Sequence, residues 1–262
     1  MNKPQLIVSL TSFPKAINYA TQAIRSILDG SLLPDRVVLY LAFSDFDSCG
    51  FPQELLALAE ENPRVELRDM GTDIRSYGKL IPALKEFPDD VIVTIDDDIR
   101  YHRHMLRDLV KLHKKLPEAI IAHRVRRLKP DEPYSKWRKY KWHDFIFRRH
   151  HFSHHAMQTG AGGVLYPPHS LDATMLDPTL FLELAPTTDD IWFWAAAVAN
   201  GTYVVPLPNG KSALTEVGKP RELSLKTTNL RPGDDRNRQA LDRIFRHFPL
   251  IRQKLSEEEK RS

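Results

Sequence analysis

The sequence predicts an α/β fold with a mostly parallel central sheet flanked by helices. Three observations carry that prediction. Over residues 1–123, short apolar runs alternate with segments of helical period, the order that builds a parallel sheet with crossover helices. The apolar runs are nearly continuous, as expected of strands covered on both faces. One of them, Val91-Ile92-Val93-Thr94-Ile95, ends in three consecutive carboxylates, Asp96-Asp97-Asp98. Ligands of open α/β sheets bind outside the C-terminal ends of the strands.

The elements follow in order. Residues 6–10 (Leu-Ile-Val-Ser-Leu) read as the first strand, running into the polar turn Thr11-Ser12-Phe13-Pro14. Residues 18–28 place Ala20, Ala23, Ile24, Ile27 and Leu28 at helical spacing, and Gly30 and Pro34 end that helix. Strands are expected at 36–42, 65–68, 91–95 and 119–123, with helices at 52–61, 77–86 and 105–116. The second half, residues 124–262, is less regular. A Gly-rich turn, Thr159 to Gly163, leads into a short strand; residues 189–199 form a helix rich in Trp, Phe and Ala, and 203–206 a strand. Residues 240–248 form an amphipathic helix, and the charged tail 256–262 is expected to fray.

Composition bounds the function. The 262 residues, 42% hydrophobic and 27% charged, suit one large α/β domain divided into halves at 1–123 and 124–262. The single cysteine, Cys49, excludes an internal disulfide and fits a reducing, cytoplasmic compartment. The first ten residues are too short and polar for a signal peptide, and no apolar run reaches the length of a transmembrane helix. Net charge is +4, unevenly spread: residues 124–151 hold ten Lys/Arg against three Asp/Glu, a net +7, leaving −3 elsewhere. Trp137, Tyr140, Trp142, Phe145 and Phe147 lie in the same segment. Such a surface suits anionic lipid headgroups, a phosphorylated acceptor or nucleic acid. Its tryptophans, Trp137 and Trp142, are candidates for stacking on a sugar. His150, His151, His154 and His155 lack the cysteine or carboxylate partners usual at zinc and are not read as a metal site.

The three adjacent carboxylates repel one another unless a cation lies between them, and a hard divalent ion with oxygen ligands, Mg²⁺ or Mn²⁺ bridging to a diphosphate, answers that need. In their order along the chain these pieces resemble the GT-A-fold glycosyltransferases. The resemblance spans residues 6–248 and rests on four matches: Thr11-Ser12-Phe13-Pro14-Lys15 after the first strand, Ser76-Tyr77-Gly78-Lys79-Leu80, the DXD-like Asp96-Asp97-Asp98, and residues 160–166 followed by Thr187-Thr188-Asp189-Asp190-Ile191-Trp192. The nearest relatives suggested are bacterial family-2-like polysaccharide and lipooligosaccharide transferases, and the motif order also resembles the exostosin-type transferase domain. The chain departs from the pattern in having no late histidine with a clear claim as an extra metal ligand, and in opening its acidic helix with Asp-Asp where Glu-Asp is usual.

The resemblance implies a donor site at Thr11, Ser12, Phe13, Pro14, Ser76, Lys79, Asp96 and Asp97, with a UDP-sugar the expected donor. It implies a metal held chiefly by Asp98, with Asp96 reaching the ribose or a metal-bound water. Lys79 would place positive charge near the diphosphate; otherwise it is an ordinary surface lysine. Asp190 is the expected base for the acceptor hydroxyl, with Asp189 as helix cap or sugar contact, because only one of them can cap. Gly160, Gly162 and Gly163 would let backbone approach the acceptor sugar, or form a strand bulge. Trp192 is the acceptor-side aromatic. Trp192 and Trp194 lie two apart on one helix and face different directions, so at most one meets a cleft and core packing is the alternative for both. The acceptor is expected to be a glycan or glycolipid in surface polysaccharide synthesis, with residues 124–151 meeting the inner face of a membrane. Inversion or retention at the anomeric carbon stays open.

Two other classes compete. A nucleotidyltransferase acting on sugar phosphates would need a Gly-rich first loop for a triphosphate, and residues 11–18 contain no glycine. A nucleic-acid-binding protein relying on residues 124–151 leaves the ordered acidic motifs unexplained, so no nucleic-acid partner is expected.

Overall fold

The computed structural model describes residues 3–139, 152–207, 214–216, 230–231 and 234–261. Its strands are β1 (Leu6–Thr11), β2 (Arg36–Leu41), β3 (Val65–Asp69), β4 (Val91–Thr94), β5 (Ile99–Tyr101), β6 (Ile120–Ala122), β7 (Val125–Arg127), β8 (Ala156–Gln158), β9 (Val164–Tyr166), β10 (Val204–Pro206), β11 (Leu214–Glu216), β12 (Leu230–Arg231) and β13 (Asp234–Asp235). The helices are α1 (Ile17–Leu28), α2 (Gln53–Glu61), α3 (Ile81–Glu86), α4 (Met105–His113), α5 (Pro178–Leu184), α6 (Asp189–Asn200), α7 (Arg236–His247) and α8 (Pro249–Arg261).

Among the described residues, seven strands form the central sheet in the order β10-β6-β9-β4-β1-β2-β3. β1 pairs in parallel with β2 and β4, β2 with β3, and β6 with β10. Only β9 runs antiparallel, against β4 and β6, with Val164 opposite both Thr94 and Ala122. That reversal matters for function. The entry of β9 lies on the same sheet edge as the exits of β1 and β4, so the Gly-rich turn before β9 reaches the carboxylates after β4.

Side chains along the central strands alternate between two cores, as the period of two requires. Ile7, Val38, Tyr40 and Ile92 pack with α3, α6 and α7, while Val8, Val37, Leu39 and Val93 pack with α1, α2 and α4. Both faces are therefore covered, which is why the strands read as unbroken apolar runs. α6 is apolar almost all round, with Ile191 through Val198 buried, and ends where Gly201 takes a left-handed conformation at φ 81°.

Three expectations change. The helix expected over 77–86 is a 3-10 turn over Arg75–Lys79 followed by α3, because the chain breaks direction at Leu80 before Pro82 can open a helix. The tail expected to fray is the C-terminal part of α8: Ile251 and Leu255 are buried one turn apart, and Glu258 accepts from the His154 amide at 2.9 Å. Trp137 is 1% exposed, and its indole N–H is shared between the Lys129 and Glu132 carbonyls at 3.0 Å each. It is a core anchor and does not offer a face to a sugar. Tyr140, Lys141, Trp142, Phe145, Phe147, His150 and His151 lie outside the described residues. Among the described residues, no helix is long and apolar enough to cross a membrane.

Candidate active site

The site gathers where β1 and β4 end. After β1, the Ser12 hydroxyl donates to Asp97 Oδ2 at 2.6 Å. That bond turns the middle carboxylate inward, and Asp97 is buried while Asp96 and Asp98 on either side are half-buried. The Asp96 amide donates to the Tyr101 hydroxyl at 2.8 Å, which pins the turn between β4 and β5. Burial, then the Asp96 charge, push the Tyr101 phenol well above its ordinary pKa, so it stays a neutral anchor.

Lys79 is the centre of the cluster. Its ammonium is 2.9 Å from Asp96 Oδ1 and 2.9 Å from Asp189 Oδ2, and the residue is only 7% exposed. It is not the surface lysine that composition alone allows. Burial acts to lower its pKa, but Asp189, Asp96 and Asp190 outweigh that and hold it well above the ordinary lysine value. The 3-10 turn carrying Lys79 is tied to the segment before α6: Tyr77 donates to the Ala185 carbonyl at 2.6 Å and stacks on Phe181 at 4.0 Å, and Arg75 reaches the Pro186 carbonyl at 3.3 Å. On the same turn the Ser76 hydroxyl is buried, and among the described residues it has no hydrogen-bond partner.

Asp190 completes the group. Its Oδ1 accepts the Gly160 amide at 2.8 Å. Burial, then the neighbouring Asp189 charge, push its carboxyl up to about 7, against the pull of Lys79. A carboxylate poised there can take a proton at neutral pH. Gly160 lies against the whole cluster: a Cβ there would stand 2.6 Å from Lys79 Nζ, 3.1 Å from Asp96 Oδ1 and 3.2 Å from Asp190 Oδ1. Backbone thus approaches the charged groups more closely than a residue with a Cβ could without displacing them.

The structure therefore brings Ser12, Lys79, Asp96, Asp97, Asp189, Asp190 and Gly160 to one edge, with Ser76 on the adjoining turn. Others go elsewhere. Thr11 donates its hydroxyl to the Tyr40 carbonyl at 2.8 Å, a strand-end bond, and Phe13 and Pro14 continue half-buried into α1. Gly162 packs on His123 and Arg124, and Gly163, at φ 81°, on Met105, so these two shape the turn without facing the cluster. Trp192 is 0% exposed with its indole N–H on the Met175 carbonyl at 2.8 Å. That assigns it to the core and removes it as an acceptor contact. Neither aspartate caps α6: the cap position is Thr188, with no side-chain cap bond, and Asp189 is committed to Lys79. Tyr101 holds the site without having been singled out in the sequence, and Tyr77 does so from within the 76–80 motif, where it was given no role; an aromatic five residues past Asp96 was the one available signal for Tyr101.

No family model matches the chain, and no protein of curated function matches it in sequence. Solved structures do match in shape. A mannosyltransferase, PcManGT from Pyrobaculum calidifontis in complex with GDP-Man and Mn²⁺, aligns with TM-score 0.51 and 14% identity over 80% of this chain and 56% of its own. Residues 1–349 of S. aureus TarS in complex with UDP align with TM-score 0.50 and 13% identity over 80% and 59%. The chain thus spans little more than half the length of either. At such identities the likeness is one of fold, and the chain has the α/β fold of this GDP-Man-bound mannosyltransferase.

Proposed function

We propose that this chain is a nucleotide-sugar-dependent glycosyltransferase that moves a sugar from a nucleoside-diphosphate donor to a hydroxyl of a glycan or glycolipid. The observation that carries the reading is the bridge from buried Lys79 to Asp96 and Asp189, with Asp190 and Gly160 packed on it, where the parallel strands β1 and β4 end. The GDP-Man, UDP and Mn²⁺ bound by the two structural neighbours support it.

The donor set fits a divalent ion held jointly with substrate. Asp97 is drawn back by Ser12, leaving Asp96 and Asp98 as the half-buried oxygens of the turn. Among the described residues no three His, Cys, Asp or Glu side chains gather into a complete ligand set. Two carboxylates, the donor's diphosphate and water would complete it, the usual arrangement for Mg²⁺ or Mn²⁺. Such an ion would neutralise charge developing on the leaving diphosphate.

The chain's own groups do the rest. Lys79 supplies a desolvated positive charge at the diphosphate side, where it is worth more than in water. The acceptor oxygen attacks the anomeric carbon, and the bond to the diphosphate oxygen breaks with its electron pair leaving on that oxygen. The hydroxyl proton passes to the Asp190 carboxylate, and the Gly160 amide holds that carboxylate in place. Asp189 fixes Lys79. We place the activity in surface polysaccharide synthesis at the inner face of a membrane, where the exposed Lys136, Arg138 and Lys139 would meet anionic headgroups.

The test is hydrolysis and transfer with a panel of UDP-, GDP- and CMP-sugars with Mn²⁺, alongside Mn²⁺ binding read by electron paramagnetic resonance. The reading expects one donor class to be cleaved, loss of cleavage in EDTA, and weakened Mn²⁺ binding in Asp98→Asn and Asp96→Asn. No binding of any nucleoside diphosphate would sink it.

A further inference from the structure

A second feature of the α6 entry is unused by this chemistry. A cavity of about 300 Å³ lies beside the residues that lead into Asp189. One wall is Pro186, Thr187 and Thr188. The other is a single face of α7, where Arg236, Gln239 and Arg243 stand three and four residues apart. None of these residues belongs to the Ser12–Lys79–Asp96 cluster.

The cavity lining is rich in hydrogen-bond donors. Arg243 Nε donates to the Leu184 carbonyl at 2.6 Å, which fixes the guanidinium beside the segment entering α6. Among the described residues this is its only hydrogen bond, so its two terminal nitrogens are uncommitted. Asp234, also on the wall, accepts from Arg236 Nε at 3.1 Å and from Gln239 Nε2 at 2.9 Å. Two guanidiniums against one carboxylate leave the lining with an excess of positive charge. Thr188, 4% exposed, occupies the cap position of a 12-residue helix, yet among the described residues its hydroxyl has no hydrogen-bond partner. A buried polar group left unpaired is destabilising.

We propose that this cavity seats an anionic group, a carboxylate or a phosphate, carried by the acceptor. The proposal rests on the transferase reading above and narrows it to acceptors bearing negative charge beside the hydroxyl that reacts. Arginine is suited to this role because its planar fork meets both oxygens of a carboxylate or phosphate.

The test is calorimetric titration of the whole chain with inorganic phosphate and, separately, with acetate, each with excess UDP or GDP present to fill the donor site. One weak site is expected, weakened at least fivefold in Arg243→Gln and in Arg236→Gln. Among the described residues Arg236 has only Asp234 as partner, so its variant keeps the fold if Arg243→Gln loosens α7. Preference for phosphate points to a phosphorylated acceptor and preference for acetate to an acidic sugar; either supports the site. Absence of anion binding, or binding indifferent to both substitutions, overturns it. Nucleotide binding in the same samples separates the two readings. Nucleotide bound without an arginine-dependent anion defeats this proposal alone. An arginine-dependent anion without nucleotide defeats the transferase reading and leaves the anion site standing.

Discussion

Gly160→Ala tests the site with a single methyl group. The backbone there is outside the left-handed region, so alanine adds no conformational strain, and the effect is steric and local. The new Cβ would stand 2.6 Å from Lys79 Nζ, and ordinary contact of 3.4 Å requires the ammonium to retreat by about 0.8 Å. Lys79 is held at 2.9 Å by both Asp96 and Asp189. At an effective dielectric near 20, each unit pair is worth about 6 kcal/mol at that distance and about 4.5 kcal/mol after the retreat. Allowing for solvent around half-buried Asp96, the two pairs lose about 2 kcal/mol of charge stabilisation, which would lower kcat/KM up to roughly 30-fold where the transition state feels it in full. The assay is donor hydrolysis and transfer by the whole chain, with Tm recorded in parallel. Gly201→Ala is the control: its φ of 81° makes alanine strained, but nothing lies within 4 Å of the added carbon. It should cost about 1 kcal/mol of stability and leave kcat/KM alone. Were folded Gly160→Ala to work within twofold of the parent, the Lys79 bridge would not be the functional centre.

Other outcomes follow from the same geometry. Asp190→Asn should abolish transfer while nucleotide affinity, measured by calorimetry, stays near that of the parent, because a base acts in the transition state; a large loss of affinity would move Asp190 to the donor side. With its pKa near 7, Asp190 makes kcat/KM rise through that pH. Being raised, it also favours the fold below the ordinary carboxylate range and costs stability as pH rises through about 7, so Asp190→Asn should have the higher Tm at pH 8. Glu258 is the opposite case. Burial pushes its carboxyl up, but bonds from His154 and Ser153 outweigh that and hold it down to about 2. Its stabilisation is present above the ordinary glutamate value and is lost as pH falls toward 2. Glu258→Gln should therefore lower Tm at pH 7 and flatten its decline in acid, and an unchanged acid profile would refute the pairing. Replacing exposed Lys136, Arg138 and Lys139 by Ser should weaken sedimentation with anionic vesicles, since each basic side chain near such a surface contributes about 1 kcal/mol. Equal sedimentation of parent and variant would reduce the segment to a solvated surface.

The sequence by itself determined the layered α/β architecture. Strands covered on both faces must be apolar along their length, and residues 6–10, 36–42 and 91–95 show this locally. It also determined that carboxylates follow β4 and open α6, since such residues are read one by one. Tertiary structure decided which of them work together. Lys79 reads as either a diphosphate contact or a surface lysine until the turn at Arg75–Lys79, bound through Tyr77 to Ala185, carries it between Asp96 and Asp189. Gly160 joins the site while Gly162 and Gly163 do not, because the antiparallel sense of β9 sets where its entry lands. Trp192 and Trp137 look like sugar platforms in a list of residues but have indole partners at Met175, Lys129 and Glu132. The charged tail is held as helix by His154, more than a hundred residues away in the chain. Local pattern records what a segment will bury, but a charge's partner is found only when distant segments meet, and that meeting depends on strand order and sense, which no window of sequence contains.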